Sequence, residues 1–301
     1  MTDPLTEVVT LLQPQAAFSK VVSGAGPWRV RRSEDGQPFY SVILNGSCHL
    51  AVDGHAMINL EEGDFVLIPA AYGFTMSSLD PTTTDDLNTV PVALLHGEFR
   101  LGAQSGPPDV LLLVGHCAFG SPDAALLVSL LPQLVHVRGE KRLATIVQLV
   151  SDESRAQRPG RDVILTRLLE VLLIEALRST AGTAASPGLL RGLADERLAI
   201  AIRRMHENMT QSWTVGQLAK EAALSRSAFF ERFSRAMGVA PMEYLLRWRM
   251  AMAKKLLRQK ETGVAEVAER VGYGSASAFS VAFTRHVGLP PTRYAREKMA
   301  A

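Results

Sequence analysis

The sequence predicts an α+β protein with two domains: an N-terminal β-barrel with trailing helices, and a C-terminal all-α domain built on two helix-turn-helix units. Residues 28–120 alternate short apolar runs with Gly, Asp and Pro turns, which is typical of β-strands. From Asp195 onward, apolar residues recur every three or four positions with short breaks at Gly or Ser, which is typical of helices. The length of 301 residues also favours two domains, since one domain commonly holds about 100–200 residues.

The charge is split between the two halves of the chain. The whole sequence carries 32 basic and 30 acidic residues, a net charge of +2. Residues 1–194 hold 14 basic and 20 acidic residues, whereas residues 195–301 hold 18 and 10, so the halves carry −6 and +8. This asymmetry fits a C-terminal half that binds a polyanion, with an ordinary solvated helical domain as the alternative.

The start of the sequence has no basic segment followed by an apolar run, and no segment reaches the ~18 apolar residues of a membrane span. Cys48 and Cys117 are the only cysteines, which fits a reducing compartment better than a disulfide framework. We therefore expect a cytoplasmic protein that does not contact a membrane.

A pattern of two short helices joined by a tight turn begins at Thr214, which can cap the first helix. Ser225 can cap the second helix, and Gly238 ends it. Phe229 and Phe233 are four residues apart, so they share the buried face of the second helix. In such a pair, the second helix can lie in the major groove of DNA with its N-terminal side chains at the base edges.

The same pattern recurs fifty residues later, where the cap, the aromatic pair and the final glycine return as Ser275, Phe279, Phe283 and Gly288. An internal repeat of this length is stronger evidence than either copy alone. Residues 241–259 lie between the copies and predict a long helix. This helix would place the two reading helices about 34 Å apart, one turn of DNA.

The stretch VAERVGYGSASAFSVAFTRHVGLPPTRY in the second copy resembles the signature of the AraC/XylS family of transcription regulators. Residues 213–238 and 241–259 fit the first motif and the linker helix of that family. The resemblance implies double-stranded promoter DNA as the partner, with RNA polymerase as a further partner. It places Val281 where a polar or basic side chain often reads bases. We therefore expect the second unit to serve mainly for phosphate contact and for methyl or shape recognition.

The DNA contacts expected from the resemblance lie at the exposed starts of the two reading helices. They are Arg226, Ser227, Phe230 and Glu231 in the first unit and Ser275, Ala276, Ser277 and Ser280 in the second. Cationic side chains nearby could also bind phosphates, because each is a charged donor able to displace counterions. These are Arg232, Arg235, Arg247, Arg249, Lys254 and Arg285, with a solvated helix face as the alternative for each.

The stretch GSCHLAVDGHAMINLEEGDFVLIP in the N-terminal half resembles the cupin fold, a small jelly-roll barrel. Enzymes of that fold usually hold a metal through a His-x-His pair, but here His49 is followed by Leu50 and Ala51. We therefore expect no metal, no cofactor and no enzymatic activity. The alternative is a metal-dependent cupin enzyme fused to a DNA-binding module.

The barrel is expected to sense a small molecule or a redox signal. Its candidate ligand or sensor residues are Cys48, His49, Tyr72, Phe74, His96, His116 and Cys117, with ordinary core or surface packing as the alternative for each. His116 and Cys117 are adjacent, so in a strand they face opposite sides. A cysteine-based redox sensor is a further alternative, and it needs an exposed cysteine or one of low pKa.

The sequence predicts a sensor and dimerisation domain over residues 1–180, with the barrel at about 15–120 and helices at about 121–180. A linker is expected over residues 181–194, followed by an AraC-type DNA-binding domain over 195–301. Residues 163–177 are apolar on more than one face, so we expect a homodimer, with a monomer as the alternative.

Overall fold

The computed structural model describes residues 3–32, 38–70, 73–80, 88–94, 98–121, 124–128, 131–156, 158–179, 188–258 and 262–297. It divides into two compact units, which are Val9–Ser186 and Pro187–Ala301 together with Met1–Val8. The predicted α+β architecture is confirmed, since strands dominate the first unit and helices the second.

Up to residue 179 the elements are mainly strands, with three helices after the barrel. In order they are α1 (Pro4–Leu12), β1 (Pro14–Ala25), β2 (Arg29–Arg32), β3 (Phe39–Val52), β4 (Ile58–Glu61), β5 (Phe65–Ile68), β6 (Phe74–Ser77), β7 (Val92–Ala93), β8 (Phe99–Gly102), β9 (Val110–Phe119), α2 (Ala124–Val128), β10 (Val135–Val137), α3 (Lys141–Ala156) and α4 (Arg161–Ser179).

The described strands form one curled sheet in the order β10-β5-β3-β9-β1-β8-β7, with β4 and β6 also paired to β3 and β2 paired to β6. The long strand β3 makes this curl, since its first half pairs with β5 and β9 and its second half with β4 and β6. Strand β3 runs without a break through Asn45 and Gly46, and its bulge lies between Ile43 and Asn45. Gly46 has φ +76°, and a Cβ there would lie 2.0 Å from the carbonyl oxygen of Asp109, so only glycine fits.

The concave side of the sheet encloses an apolar core that includes Trp28, Phe39, Leu50 and Val66. The helices α3 and α4 pack against the sheet at strand β1. Residues 135–137 were expected to continue a helix, but they form β10 because their backbone pairs with β5. No helix in the described part of the chain is both long enough and apolar enough to cross a membrane.

From residue 189 onward the described elements are all helices. They are α5 (Leu189–Ala194), α6 (Glu196–Glu207), α7 (Val215–Glu221), α8 (Arg226–Met237), α9 (Pro241–Leu257), α10 (Val264–Arg270), α11 (Ala276–Val287) and α12 (Pro291–Glu297).

The last residues of the expected linker are helical and form α5. Leu189 and Leu190 are buried, and Gly192 packs so closely that a Cβ there would lie 2.3 Å from Sδ of Met237. The amide of Gly188 also donates a hydrogen bond to the carbonyl of Ala236. Apolar contact therefore fixes this segment on the helical unit.

The two helix-turn-helix units form as the repeat predicts. Ser225 and Ser275 cap α8 and α11 by accepting hydrogen bonds from the amides of Ala228 and Ala278. Both reading helices end at a glycine in the left-handed conformation. In each helix, the two phenylalanines of the aromatic pair are fully buried, as expected for core residues.

Candidate nucleic-acid interface and barrel cavity

The first turns of α8 present a polar surface with one exposed aromatic ring. Burial of Phe229 and Phe233 turns the opposite face of the helix outward. Arg226, Ser227, Phe230 and Glu231 are all exposed there and together line a shallow depression. The side chains of this face can donate to base edges, accept from them and contact a thymine methyl group.

The corresponding face of α11 is smaller and more apolar. Val281 is 68% exposed, whereas Ala276 and Ser280 are half-buried. The hydroxyl of Ser280 donates to the carbonyl of Ala276 at 2.7 Å, so its proton is used within the helix. The hydroxyl of Ser277 is exposed, and that of Ser275 caps the helix. This face therefore offers fewer donors to bases than α8 does.

The cations expected to meet phosphates differ in their surroundings. Arg235 and Arg285 are exposed and form no ion pair with another residue in the described ranges. Arg232 pairs with Asp195, and Arg247 pairs with Glu243 one turn earlier on α9. The ammonium group of Lys254 lies 5.9 Å from the ring centre of Tyr294.

Arg249, which is also expected to bind phosphate, holds two backbone carbonyls in the structure. Its Nε and Nη2 donate to the carbonyl of Met209 at 3.0 and 2.7 Å, and Nη2 also donates to the carbonyl of Gln211 at 2.7 Å. Gly272, beside the same guanidinium, has φ +80°, and a Cβ there would lie 2.8 Å from Cα of Thr210, so this position requires glycine. Burial lowers the pKa of Arg249. The side chain therefore ties α9 to the segment after α6.

Asp195 links the start of α6 to α8. Its carboxylate caps α6 by accepting from the amides of Arg197 and Leu198 at 3.1 and 3.3 Å, and it accepts from Nε of Arg232. Burial acts to raise the pKa of Asp195, but the hydrogen bonds from Arg232 and from the two amides outweigh it and hold the pKa below its ordinary value. Sequence analysis missed this residue as a support for the reading helix.

A narrow cavity of about 60 Å³ opens inside the barrel and is mainly apolar. The predicted sensor residues Phe74 and His116 both line it. Three further lining residues, Lys20, Trp28 and Arg32, were not predicted. The pattern on β1 could have identified Lys20, because it lies two residues before the inward-facing Val22. The cavity thus joins aromatic walls to three basic side chains.

The two cysteines lie on opposite faces of the sheet. Cys48 belongs to the barrel core together with Leu112 and Val114 of β9, whereas Cys117 is one residue from the cavity-lining His116 and so faces the other side. Burial raises the pKa of both thiols to about 12, and the nearby charge of Asp64 adds to the effect at Cys48. Neither cysteine is thus placed to react as a thiolate.

Of the remaining sensor candidates, His49 is the one that the structure describes, and it does not line the cavity. His49 lies on an outer groove of the barrel with Arg29 and Arg31. Tyr72 and His96 lie outside the described residues. Among the residues that the structure describes, no group of three or more His, Cys, Asp or Glu side chains could hold a metal ion.

A cupin-like barrel joined to two helix-turn-helix units with exposed reading helices defines a DNA-binding transcription regulator. A cupin model matches residues 3–182, and a helix-turn-helix domain model matches residues 218–297. The chain is 37% identical over 299 residues to a protein of Streptomyces lividans named as an AraC-like transcription regulator, and the match covers 97% of each chain. The chain belongs to the family of AraC-like transcription regulators, as its signature predicted.

The chain is also similar to a second named regulator and to a solved structure. The HTH-type transcriptional regulator AlkR of Acinetobacter baylyi is 28% identical over 290 residues, covering 92% of this chain and 93% of the relative. Among solved structures, the DNA-binding domain of AdpA in complex with a target DNA is 32% identical, with a TM-score of 0.33. That match covers 34% of this chain and 92% of the other.

Proposed function

We propose that α8 reads the base sequence of the operator and that α11 mainly holds the DNA. The observation that carries this proposal is the difference between the two exposed faces. Arg226 and Glu231 on α8 offer charged donors and acceptors, whereas α11 offers Ala276 and Val281. Each base pair read by a good bidentate contact contributes about 1–3 kcal/mol of discrimination.

A base-pair substitution scan tests the proposal. The probe is a duplex selected by the full-length protein from a random library, with each position then changed in turn. We expect one short box with penalties of roughly tenfold or more per change, and a second box one helical turn away with smaller penalties. Equal penalties in both boxes would contradict the assignment of base reading to α8.

The barrel cavity is proposed as the effector site. Its aromatic and aliphatic wall fits an apolar body, and the lining residues Lys20, Arg32 and His116 favour a negatively charged group on that body. The cavity of about 60 Å³ is smaller than the roughly 150 Å³ that holds benzene in an engineered protein cavity. Binding of a larger effector therefore widens the barrel, and that change can shift the regulator between states.

An apolar anion, 1-anilinonaphthalene-8-sulfonate, is a suitable probe of this cavity. Its fluorescence should rise on binding to the wild-type protein and fall in Val22→Phe, which fills the cavity, and in Lys20→Met. Lys141→Met changes an exposed lysine on α3 and serves as the matched control. Equal fluorescence in all four proteins would place the bound dye elsewhere.

Homodimerisation through α4 is also part of the proposal. Val163 is 67% exposed on this helix, and Ile164 and Val171 are exposed beside it, an apolar face that a second copy could cover. Sedimentation of the full chain should give twice the monomer mass at micromolar concentration. The double variant Ile164→Glu, Val171→Glu should give the monomer mass, and Thr166→Glu should not. A wild-type mass equal to one chain would contradict the dimer.

The proposed regulator acts in the cytoplasm, where promoter DNA and RNA polymerase are found, and has no enzymatic activity. The support is the chain's own residues: His49 has no second histidine two positions later, and its side chain lies on the outer groove of the barrel. Purified protein containing stoichiometric Fe, Mn, Ni or Zn would favour the enzyme alternative instead.

A further inference from the structure

A cleft of about 630 Å³ runs beside the reading helix, between α5, the start of α6 and the second half of α8. Four arginines from three helices line it: Arg191, Arg197, Arg232 and Arg235. The acidic residues on its wall are Asp195 and Glu196. The lining charge is therefore net positive by two.

The acidic residues of the wall form no ion pair with Arg191 or Arg235 among the described residues. Asp195 is engaged by Arg232 and by the amides at the start of α6. Arg197 directs one Nη toward the carbonyl of Ala223 at 3.3 Å. Arg191 and Arg235 are exposed and form no ion pair within the part of the chain that the structure describes. These two guanidinium groups are available to an anion in the cleft.

The packing of α5 fixes the place of Arg191 on the backbone. Burial of Leu189 and Leu190 and the close contact of Gly192 with Met237 leave Arg191 as the exposed residue of this turn. The position of this arginine relative to α8 is thus set by the fold, which reduces the entropy lost when it binds a partner.

The cleft continues the DNA-facing side of α8. Ser227, Glu231 and Arg235 follow one another at four-residue intervals, so they lie along the same face of the helix. If the first turns of this face enter the major groove, its last turn lies at the groove edge, where the phosphates are. Arginine is suited to phosphate there because its planar fork donates two parallel hydrogen bonds.

We infer that this cleft binds the phosphate backbone of the DNA that flanks the bases read by α8, with Arg191 and Arg235 as the direct donors. Arg232, held by Asp195, adds positive charge at the wall. The inference rests on the proposed role of α8 as the reading helix. It makes α5, which lies at the end of the expected linker, part of the DNA interface.

The test is the salt dependence of binding to the library-selected duplex, measured between 50 and 200 mM KCl. Each phosphate contact adds about 0.9 to the slope of log K against log salt concentration. Arg191→Gln and Arg235→Gln should each lower that slope by about 0.9, and the double variant by about 1.8. Arg203→Gln, an exposed arginine of α6 outside the cleft, should leave it unchanged. Thermal unfolding confirms that each variant is folded.

The inference is overturned if Arg191→Gln keeps the wild-type slope. If that variant also reduces transcription with purified RNA polymerase, the cleft binds the polymerase and not DNA.

Both arginine variants should weaken binding to the selected duplex and to a scrambled duplex equally, since phosphate contacts carry no sequence information. A loss confined to the selected duplex would mean that these arginines read bases. Failure of the reading role of α8 would show separately, as an unchanged affinity in Arg226→Ala, Ser227→Ala.

Discussion

Nδ1 of His206 lies 2.6 Å from Oε2 of Glu7, a residue 199 positions earlier in the chain. The other ring nitrogen of His206 lies 2.7 Å from the hydroxyl of Tyr244, and the ring stacks on Trp248 at 4.1 Å. The His206 side chain is fully buried. The first residues of α1 are therefore part of the DNA-binding unit.

Replacing Glu7 with Ala should lower the free energy of unfolding of this unit by about 1–3 kcal/mol, because a buried imidazole nitrogen loses its partner. Urea unfolding followed by the fluorescence of Trp213 and Trp248 measures this, in a Trp28→Phe background that removes the indole of the barrel. Glu7→Gln keeps an acceptor and should cost less than Glu7→Ala. Equal stability of Glu7→Ala and the parent would show that the contact contributes nothing.

Asp195→Ala removes both the cap of α6 and the partner of Arg232. We expect a loss of about 1 kcal/mol or somewhat more, mainly from the cap, because the ion pair is half exposed and contributes little. Asp195→Asn keeps a good cap, so its loss should be smaller. Chemical denaturation of the three proteins at neutral pH gives the comparison, and an equal loss in the two variants would assign the effect to charge alone.

The same aspartate gives a pH dependence of defined sign. Its pKa in the folded chain is lower than the ordinary value of 3.8, so the folded state favours the ionised form. The resulting stability is fully present above pH 3.8 and is lost as the pH falls through the lowered pKa. The stability difference between wild type and Asp195→Asn should therefore be constant from pH 5 to 7 and shrink in acid. A difference that persists unchanged in strong acid would contradict the pKa shift.

Arg249→Met should destabilise the helical unit by about 2–3 kcal/mol, because two carbonyls lose a charged donor while the aliphatic stem is kept. The salt slope of DNA binding should stay at the wild-type value, since the guanidinium is committed to Met209 and Gln211. Parallel unfolding and binding titrations make the distinction. A slope that is lower by about 0.9 in Arg249→Met would show that Arg249 contacts a DNA phosphate.

Cys48 and Cys117 should react slowly with iodoacetamide in the native protein at pH 8, because both are buried with a pKa near 12. Both should react fully in 6 M guanidinium chloride. Mass spectrometry of the alkylated protein separates the two states. Rapid native labelling of either residue would support the redox-sensor alternative.

Local sequence patterns predicted the helical unit well. The caps at Ser225 and Ser275 and the aromatic pairs depend on residues within one or two turns, so their spacing defines them. The barrel was predicted less closely, because the continuation of β3 through Gly46 and the formation of β10 are decided by pairing with distant strands. The same holds for the site. The exposed residues of α8 follow from helix periodicity, whereas Asp195 with Arg232 and the clamp at Arg249 arise only in the folded chain.

The most direct test of the central claim compares two double variants in a gel shift at 150 mM KCl with the library-selected duplex. Arg226→Ala, Ser227→Ala removes the polar start of α8, and Ser277→Ala, Val281→Ala changes the start of α11. If α8 reads the bases, Arg226→Ala, Ser227→Ala should weaken binding by about 10- to 100-fold. It should also reduce the preference for the selected duplex over a scrambled duplex. Ser277→Ala, Val281→Ala should change that preference little. Wild-type affinity and preference in Arg226→Ala, Ser227→Ala would contradict the assignment of α8 as the reading helix.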